Sequence, residues 1–210
     1  MLDVGCGMGE LLEACQRQLH MEIAGVDLDP DAVRRANERL QTQRILQGGI
    51  ERFLGKSRFD LIIMHDLIEH PLDPLSLLEQ ASQLLAPSGC LLLWTPNGAF
   101  ADAAAPAYTT FRVNLEHMQY LTAKTIRFVL DKLPLSTVHL ETCGYPALAG
   151  IDQPPGGRLT FRSAAKQLAR RLVGDRLAQR LRDAWVDWRR PSIRLGSYHL
   201  FAILQKDPER

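Results

Sequence analysis

The chain has 210 residues, 46% of them hydrophobic, and a formal net charge of +1. That is enough apolar material for one well-buried α/β core, and no run of 18 apolar residues offers a membrane span. The near-neutral total is unevenly spread: residues 158–194 carry 11 Arg and Lys against 3 Asp, whereas the remainder carries 14 basic against 21 acidic residues. No signal peptide is visible, since the chain begins inside a motif. The four cysteines (Cys6, Cys15, Cys90 and Cys143) show no pairing or metal-ligand spacing, which fits a reducing, cytoplasmic setting.

In chain order, a short strand at 2–4 runs into Asp3-Val-Gly5-Cys-Gly7-Met-Gly9, and a helical pattern follows at 10–19. Glycines at alternate positions let the backbone turn sharply and approach a ligand, and the helix that opens next presents N–H groups to it. Further strands are expected near 22–27, 44–47, 59–64, 90–95, 137–143 and 197–205, and helices near 31–42, 74–86 and 122–132. Strands alternating with helices predict a mostly parallel, seven-stranded Rossmann-like α/β sheet with helices on both faces. Residues 1–210 are read as a single domain.

Asp3 helps to select the ligand of this turn. A dinucleotide would set its pyrophosphate there, and at ~5 Å with an effective dielectric of about 20 a carboxylate would repel it by roughly 3 kcal/mol. S-adenosylmethionine instead brings an ammonium and a sulfonium, so Asp3 attracts it. The spacing agrees, because a G-x-G-x-x-G turn needs glycine where Glu10 stands. The second strand ends in Asp27, placed to accept from both ribose hydroxyls or simply to be a solvated strand-end carboxylate. Asp29, Pro30 and Asp31 then read as N-cap, first helical residue and dipole partner of the next helix.

The segments LDVGCGMGE, GVDLDPDAV, FDLIIMHDLIEH and LLAPSGCLLLWTPN, in this order over residues 1 to about 145, resemble a class I S-adenosylmethionine-dependent methyltransferase. The likeness is to the group of ubiquinone-biosynthesis O-methyltransferases and the type 11 and type 23 methyltransferase domains. It implies a last strand inserted antiparallel between the fifth and sixth, and cofactor contacts from Asp3, Gly5, Gly7, Asp27, Leu28, Ile50 and His65. Two departures stand out. Family members usually carry one or two helices before the first strand; here Met1 lies two residues before Asp3, so either the start lies further upstream or that lid is lacking. The family's adenine-pairing acid after the third strand is replaced by Gly49 in Gln47-Gly-Gly-Ile-Glu51, leaving the Ile50 N–H to meet the ring and its side chain to pack on it.

The fourth strand delivers His65-Asp66-Leu67-Ile68-Glu69-His70 to the carboxyl rim, where ligands bind in this architecture. The fifth delivers Trp94-Thr95-Pro96-Asn97, and a later loop brings Asn114-Leu-Glu-His117-Met-Gln-Tyr120. Methyl transfer needs alignment, exclusion of water and removal of a proton, and histidine suits the last task. His65, His70 and His117 are the catalytic candidates, with cofactor contact an equal alternative for His65. Asn97 is either an acceptor-binding residue or a turn cap. Asp66-x-x-Glu69-His70 with a distant His117 also resembles the metal site of small-RNA 2′-O-methyltransferases and the Glu-x-x-Glu-His segments of the ubiquinone enzymes. That likeness implies a divalent ion on Asp66, Glu69, His70 and His117 that lowers the pKa of an acceptor hydroxyl. The structural alternative is a turn in which Glu69 and His70 pair with backbone or with each other.

Residues at about 152–192 read as a basic helical insertion before the last strand, with Phe161, Ala165, Leu168, Leu172, Leu177, Leu181, Trp185 and Trp188 at helical spacing. It is a solvated helix pair, a surface for an anionic acceptor, lipid-linked group or membrane face, or a nucleic-acid contact, the last disfavoured by the chain's neutrality. The reading is a methyltransferase acting on an oxygen of a small metabolite, sugar or lipid-linked acceptor. The competing reading, from the two departures, is a cofactor-binding protein of weak or no activity that needs an upstream segment or a partner.

Overall fold

The computed structural model describes residues 1–55, 58–99, 116–143 and 199–207. The basic stretch at 152–192 and Asn114 lie outside these residues. Strands β1 (Leu2–Val4), β2 (Ala24–Asp27), β3 (Ile45–Gln47), β4 (Phe59–His65), β5 (Leu85–Pro96), β6 (Leu135–Cys143) and β7 (His199–Lys206) form one seven-stranded sheet in the order β3-β2-β1-β4-β5-β7-β6. The first five strands pair in parallel, and β7 runs antiparallel between β5 and β6. The expected fold is therefore present, including the inserted last strand. The strand order reverses between β1 and β4, and a crevice outside the carboxyl ends opens at such a switch point.

Each helix buries one stripe. Helix α1 (Glu10–Leu19) buries Leu12, Cys15 and Leu19, and α2 (Pro30–Leu40) buries Val33, Ala36 and Leu40, both at i, i+3, i+7 spacing. These residues pack with Met1, Cys6, Ile45 and Ile63 on one side of the sheet. Helices α3 (Pro74–Leu84) and α4 (Ala123–Leu130) cover the other side, where Leu2, Val26, Ile62, Leu91, Leu93 and Leu200 meet Leu78, Leu84 and Ile126. The helix starts follow from side-chain chemistry. Asp29 accepts from Asp31 N at 2.9 Å with Pro30 in the first turn, Asp73 accepts from Ser76 N at 3.0 Å ahead of Pro74, and Thr122 and Thr125 form a capping box.

Several boundaries differ from expectation, most by one or two residues. Helix α3 ends at Leu84, and β5 starts at Leu85 rather than residue 90. Ala-Pro-Ser-Gly is an extended bulge within the strand: Phe59 pairs with Leu85 but Leu61 with Cys90, and Ser88 has φ +60°. A single turn of 3-10 helix at Ile50–Phe53 follows β3, too short to leave a periodic signal. Helix α4 stops at Leu130, two residues before its expected end.

Candidate active site

The loop after β1 is wrapped onto β2. Gly5 and Cys6 donate to Val26 O at 2.9 and 3.0 Å, and Gly7 N donates to Asp27 Oδ2 at 2.7 Å. Gly5, Gly7 and Gly9 all have positive φ, a region costly for other residues. At Gly7 an added Cβ would meet nothing within 4 Å, so the loop faces open space there. The second oxygen of Asp27 accepts from Asp29 N at 2.9 Å. A carboxylate offers about four lone-pair sites, so two remain to receive a ribose diol. Leu28 beside it is 77% exposed, an apolar side chain at the rim available to cover a base.

Asp3, by contrast, is 3% exposed. Burial, reinforced by the charge of Asp27, pushes its carboxyl from 3.8 up to about 7. A buried acid held near neutrality at the end of β1 is suited to ionise against an arriving cation. Ile50 departs from expectation: its side chain is 2% exposed within the core, so it does not reach a ring, and its place in the first helical turn leaves the N–H without an intrahelical acceptor.

The candidate catalytic residues on the rim divide into two groups. His65, at the end of β4, lies parallel to Trp94 with ring centroids 6.0 Å apart and has Nδ1 3.4 Å from Asp66 Oδ2. Asp66 takes φ +48° and donates its N–H to Trp94 O at 2.7 Å, tying β4 to β5 at the rim. Such strain in a non-glycine residue marks many functional loops.

The second group is Glu69, His70 and His117, each of which brings a ligating atom within 4.8 Å of the others. The structure thus brings together three of the four residues named for a metal, while Asp66 turns to His65. Glu69 is fully buried; its Oε2 accepts from Thr95 Oγ1 at 2.8 Å and its Oε1 has no hydrogen-bond partner among the described residues. Burial pushes its carboxyl up. The Glu69 carbonyl accepts from Met118 N at 2.9 Å, and Gln119 Nε2 donates to Ile68 O and Pro71 O, which pins the 116–120 loop to the β4 rim. His70 donates Nδ1–H to Glu116 O at 3.1 Å, which leaves its lone pair on Nε2. The His117 ring stands edge-on to His70 at 4.8 Å, and its Nδ1 is 3.1 Å from the Tyr120 hydroxyl. Burial, with His70 beside it, lowers the His117 pKa, so the basic form prevails at neutral pH.

Asn97 is 3% exposed and its Oδ1 accepts from Ala99 N at 3.1 Å, the turn-capping alternative. Thr95 and Tyr120 were not foreseen as functional. Their positions on the rim segments 94–97 and 114–120 were the available signal, but which hydroxyls meet Glu69 and His117 depends on how the two segments dock.

Residues 1–140 match the family model described as a methyltransferase domain. Among curated relatives, the ubiquinone biosynthesis O-methyltransferase of Histophilus somni (strain 2336) is 34% identical over 110 residues, 48% of this chain and 46% of that protein. That of Xanthomonas campestris pv. campestris (strain B100) is 34% identical over 117 residues, 51% of this chain and 48% of the relative. The matches thus span about half the length of these relatives. Among solved structures, a SAM-dependent methyltransferase from Archaeoglobus fulgidus superposes with TM-score 0.64 at 19% identity over 98% of this chain and 85% of its own. The plantazolicin methyltransferase BpumL in complex with SAH gives 0.65 at 20% identity over 98% and 75%. With the family match covering two thirds of the residues, and the glycine loop, Asp27 and strand order in place, the chain belongs to the class I S-adenosylmethionine-dependent methyltransferases.

Proposed function

We propose that this protein transfers a methyl group from S-adenosylmethionine to the hydroxyl oxygen of a small or lipid-linked acceptor. The observation that carries this reading is the Glu69–His70–His117 group at the β4 rim, next to β1 and its glycine loop. Asp3 and the glycine loop receive the methionine end, Asp27 the ribose, and Leu28 covers the base. The acceptor hydroxyl lies against His70 and His117, with the buried Glu69 carboxylate beside them. Transfer is an in-line displacement: an oxygen lone pair forms the C–O bond, the C–S bond pair returns to sulfur, and the hydroxyl proton passes to a base. His117, kept neutral by its surroundings, takes that proton. Leu72 and Met118, 86% and 50% exposed beside the two histidines in sequence, favour an acceptor with apolar parts. The O-methyltransferase names of the curated relatives support oxygen as the atom methylated.

A metal-assisted variant of the same reaction is favoured by one observation. Glu69 Oε1 is buried without a hydrogen-bond partner among the described residues and shares its surroundings with two imidazoles. A carboxylate and two histidines fit a divalent transition ion, with His70 oriented through its Nδ1 bond to Glu116 O. A bound ion would lower the pKa of the acceptor hydroxyl. Glu69, His70 and His117 would hold it, and Asp66 would not. The buried free cysteines Cys6, Cys15 and Cys90 support a reducing, cytoplasmic location, and no described helix is long and apolar enough to cross a membrane.

The test is transfer of labelled methyl from S-adenosylmethionine to a panel of phenols, sugars and lipid-linked glycans, with and without added divalent ions. Product carrying label on oxygen is expected. Label on nitrogen or carbon alone would overturn the oxygen assignment. Cofactor binding without transfer to any acceptor would favour a binding protein that needs a partner.

A further inference from the structure

The turn after β3 contains a side chain in an unusual place. Gly49 has φ −95° and ψ −171°, an extended conformation open to any residue. Glycine is therefore not required there by the backbone. What it supplies is room: the carboxylate of Glu51 folds back so that its Oε1 accepts from Gly49 N at 2.9 Å, and a Cβ on residue 49 would collide with Oε2 and lie 3.2 Å from Cδ. The Glu51 carboxylate occupies the volume that a side chain at position 49 would fill.

That volume lies where a nucleoside base would fall. Asp27 pairs in register with Gln47, and Gly48 N donates to Asp27 O at 2.9 Å, so the Gly48–Gly49 turn sits one strand spacing from the ribose-binding acid. The glycine loop belongs to β1, Asp27 to β2 and Glu51 to the turn after β3. A ligand with its amino-acid end on β1 and its ribose on β2 places its base at β3. Adenine presents an exocyclic amino donor beside the N1 acceptor. Glu51 Oε2 offers an acceptor and the Ile50 N–H a donor, from adjacent residues.

We propose that Glu51 is the residue that recognises the adenine amino group, in place of a side chain at position 49. This rests on the S-adenosylmethionine reading above. Oε1 is anchored by the Gly49 N–H, which orients Oε2 before the ligand arrives and reduces the ordering that binding requires. The same carboxylate would repel the 6-oxo group of hypoxanthine, so Glu51 would set base specificity as well as affinity.

The test is titration of S-adenosylhomocysteine and S-inosylhomocysteine into wild type, Glu51→Ala and the double variant Glu51→Ala/Gly49→Asp. Wild type should prefer the adenosyl ligand at least about tenfold, the scale of one charge-assisted hydrogen bond. Glu51→Ala should lose about tenfold on the adenosyl ligand and bind both alike. Gly49→Asp, which fits the extended backbone once Glu51 is removed, should restore the preference. Glu51→Ala binding with wild-type affinity and wild-type discrimination would overturn the proposal. Wild type binding neither ligand would overturn the cofactor reading, and this proposal with it.

Discussion

Gly7 N donates to Asp27 Oδ2 at 2.7 Å, so one carboxylate ties the loop after β1 to the end of β2. The bond presets the glycine loop before any ligand arrives, and with the Asp29 N–H on the other oxygen it fixes the carboxylate in place. The two residues are 20 apart in sequence and meet because Val4 pairs with Val26.

Replacing Gly7 by Ala should weaken this preset loop. Position 7 takes φ +52°, which costs an L-residue about 1–2 kcal/mol. The new Cβ would also project into the open space the loop keeps. Thermal melting should show a fall of a few degrees, for a loss of that size in a domain of this length, while titration shows a larger loss of cofactor affinity. Equal affinity in the variant would show that the loop does not line the pocket.

Asp3 should make cofactor affinity depend on pH. In the ligand-free pocket it ionises near pH 7, and a cationic ligand favours the ionised form. Affinity should therefore rise with pH and level off above about 7, falling by up to about tenfold per unit below it. The sign for folding is opposite. The folded state holds the Asp3 proton more tightly than the unfolded chain does, so ligand-free stability falls as pH climbs from 3.8 through about 7. Asp3→Asn should raise the melting temperature of the ligand-free protein at pH 8, weaken S-adenosylmethionine binding and flatten its pH profile.

His117 should control the acid limb of the reaction. Its pKa lies below the usual 6.5, so turnover should hold at neutral pH and fall as pH drops through that lowered value. His117→Ala should reduce kcat by about 10²–10⁴, the usual range for a lost general base. Binding of S-adenosylhomocysteine should not change. A pH–rate profile of wild type and variant checks both statements.

Glu69→Gln preserves shape and the Thr95 contact while removing the charge. Burial raises the Glu69 pKa, so this carboxyl costs stability increasingly as pH rises through its raised value. The variant should melt at or above the wild-type temperature at pH 8 and lose activity. If a divalent ion binds here, elemental analysis should find it in wild type and not in Glu69→Gln.

Much of the local structure around the glycine loop and Asp27 was legible in the sequence, because it is built from contiguous turns. Asp3, the glycines, Asp27 and the Asp29–Pro30 helix start each announce themselves within a few residues. Ile50 was legible only in part, since its burial depends on packing against the α3 side of the sheet. Glu51 was not legible, because nothing local says that a side chain two residues on will fill the space over Gly49. The Glu69–His70–His117 group depended on docking: Glu69 and His117 lie 48 positions apart, and Asp66, on a left-handed backbone, lies beside His65 instead. The early start of β5 was hidden by Pro87 and Gly89, turn residues that here form a bulge.

The most direct test of the central claim is calorimetric titration of S-adenosylhomocysteine into wild type and Asp27→Ala. Micromolar binding by wild type, lost in Asp27→Ala while the variant remains folded, is the predicted result. No binding by folded wild type, or undiminished binding by Asp27→Ala, would contradict the assignment of this crevice to S-adenosylmethionine.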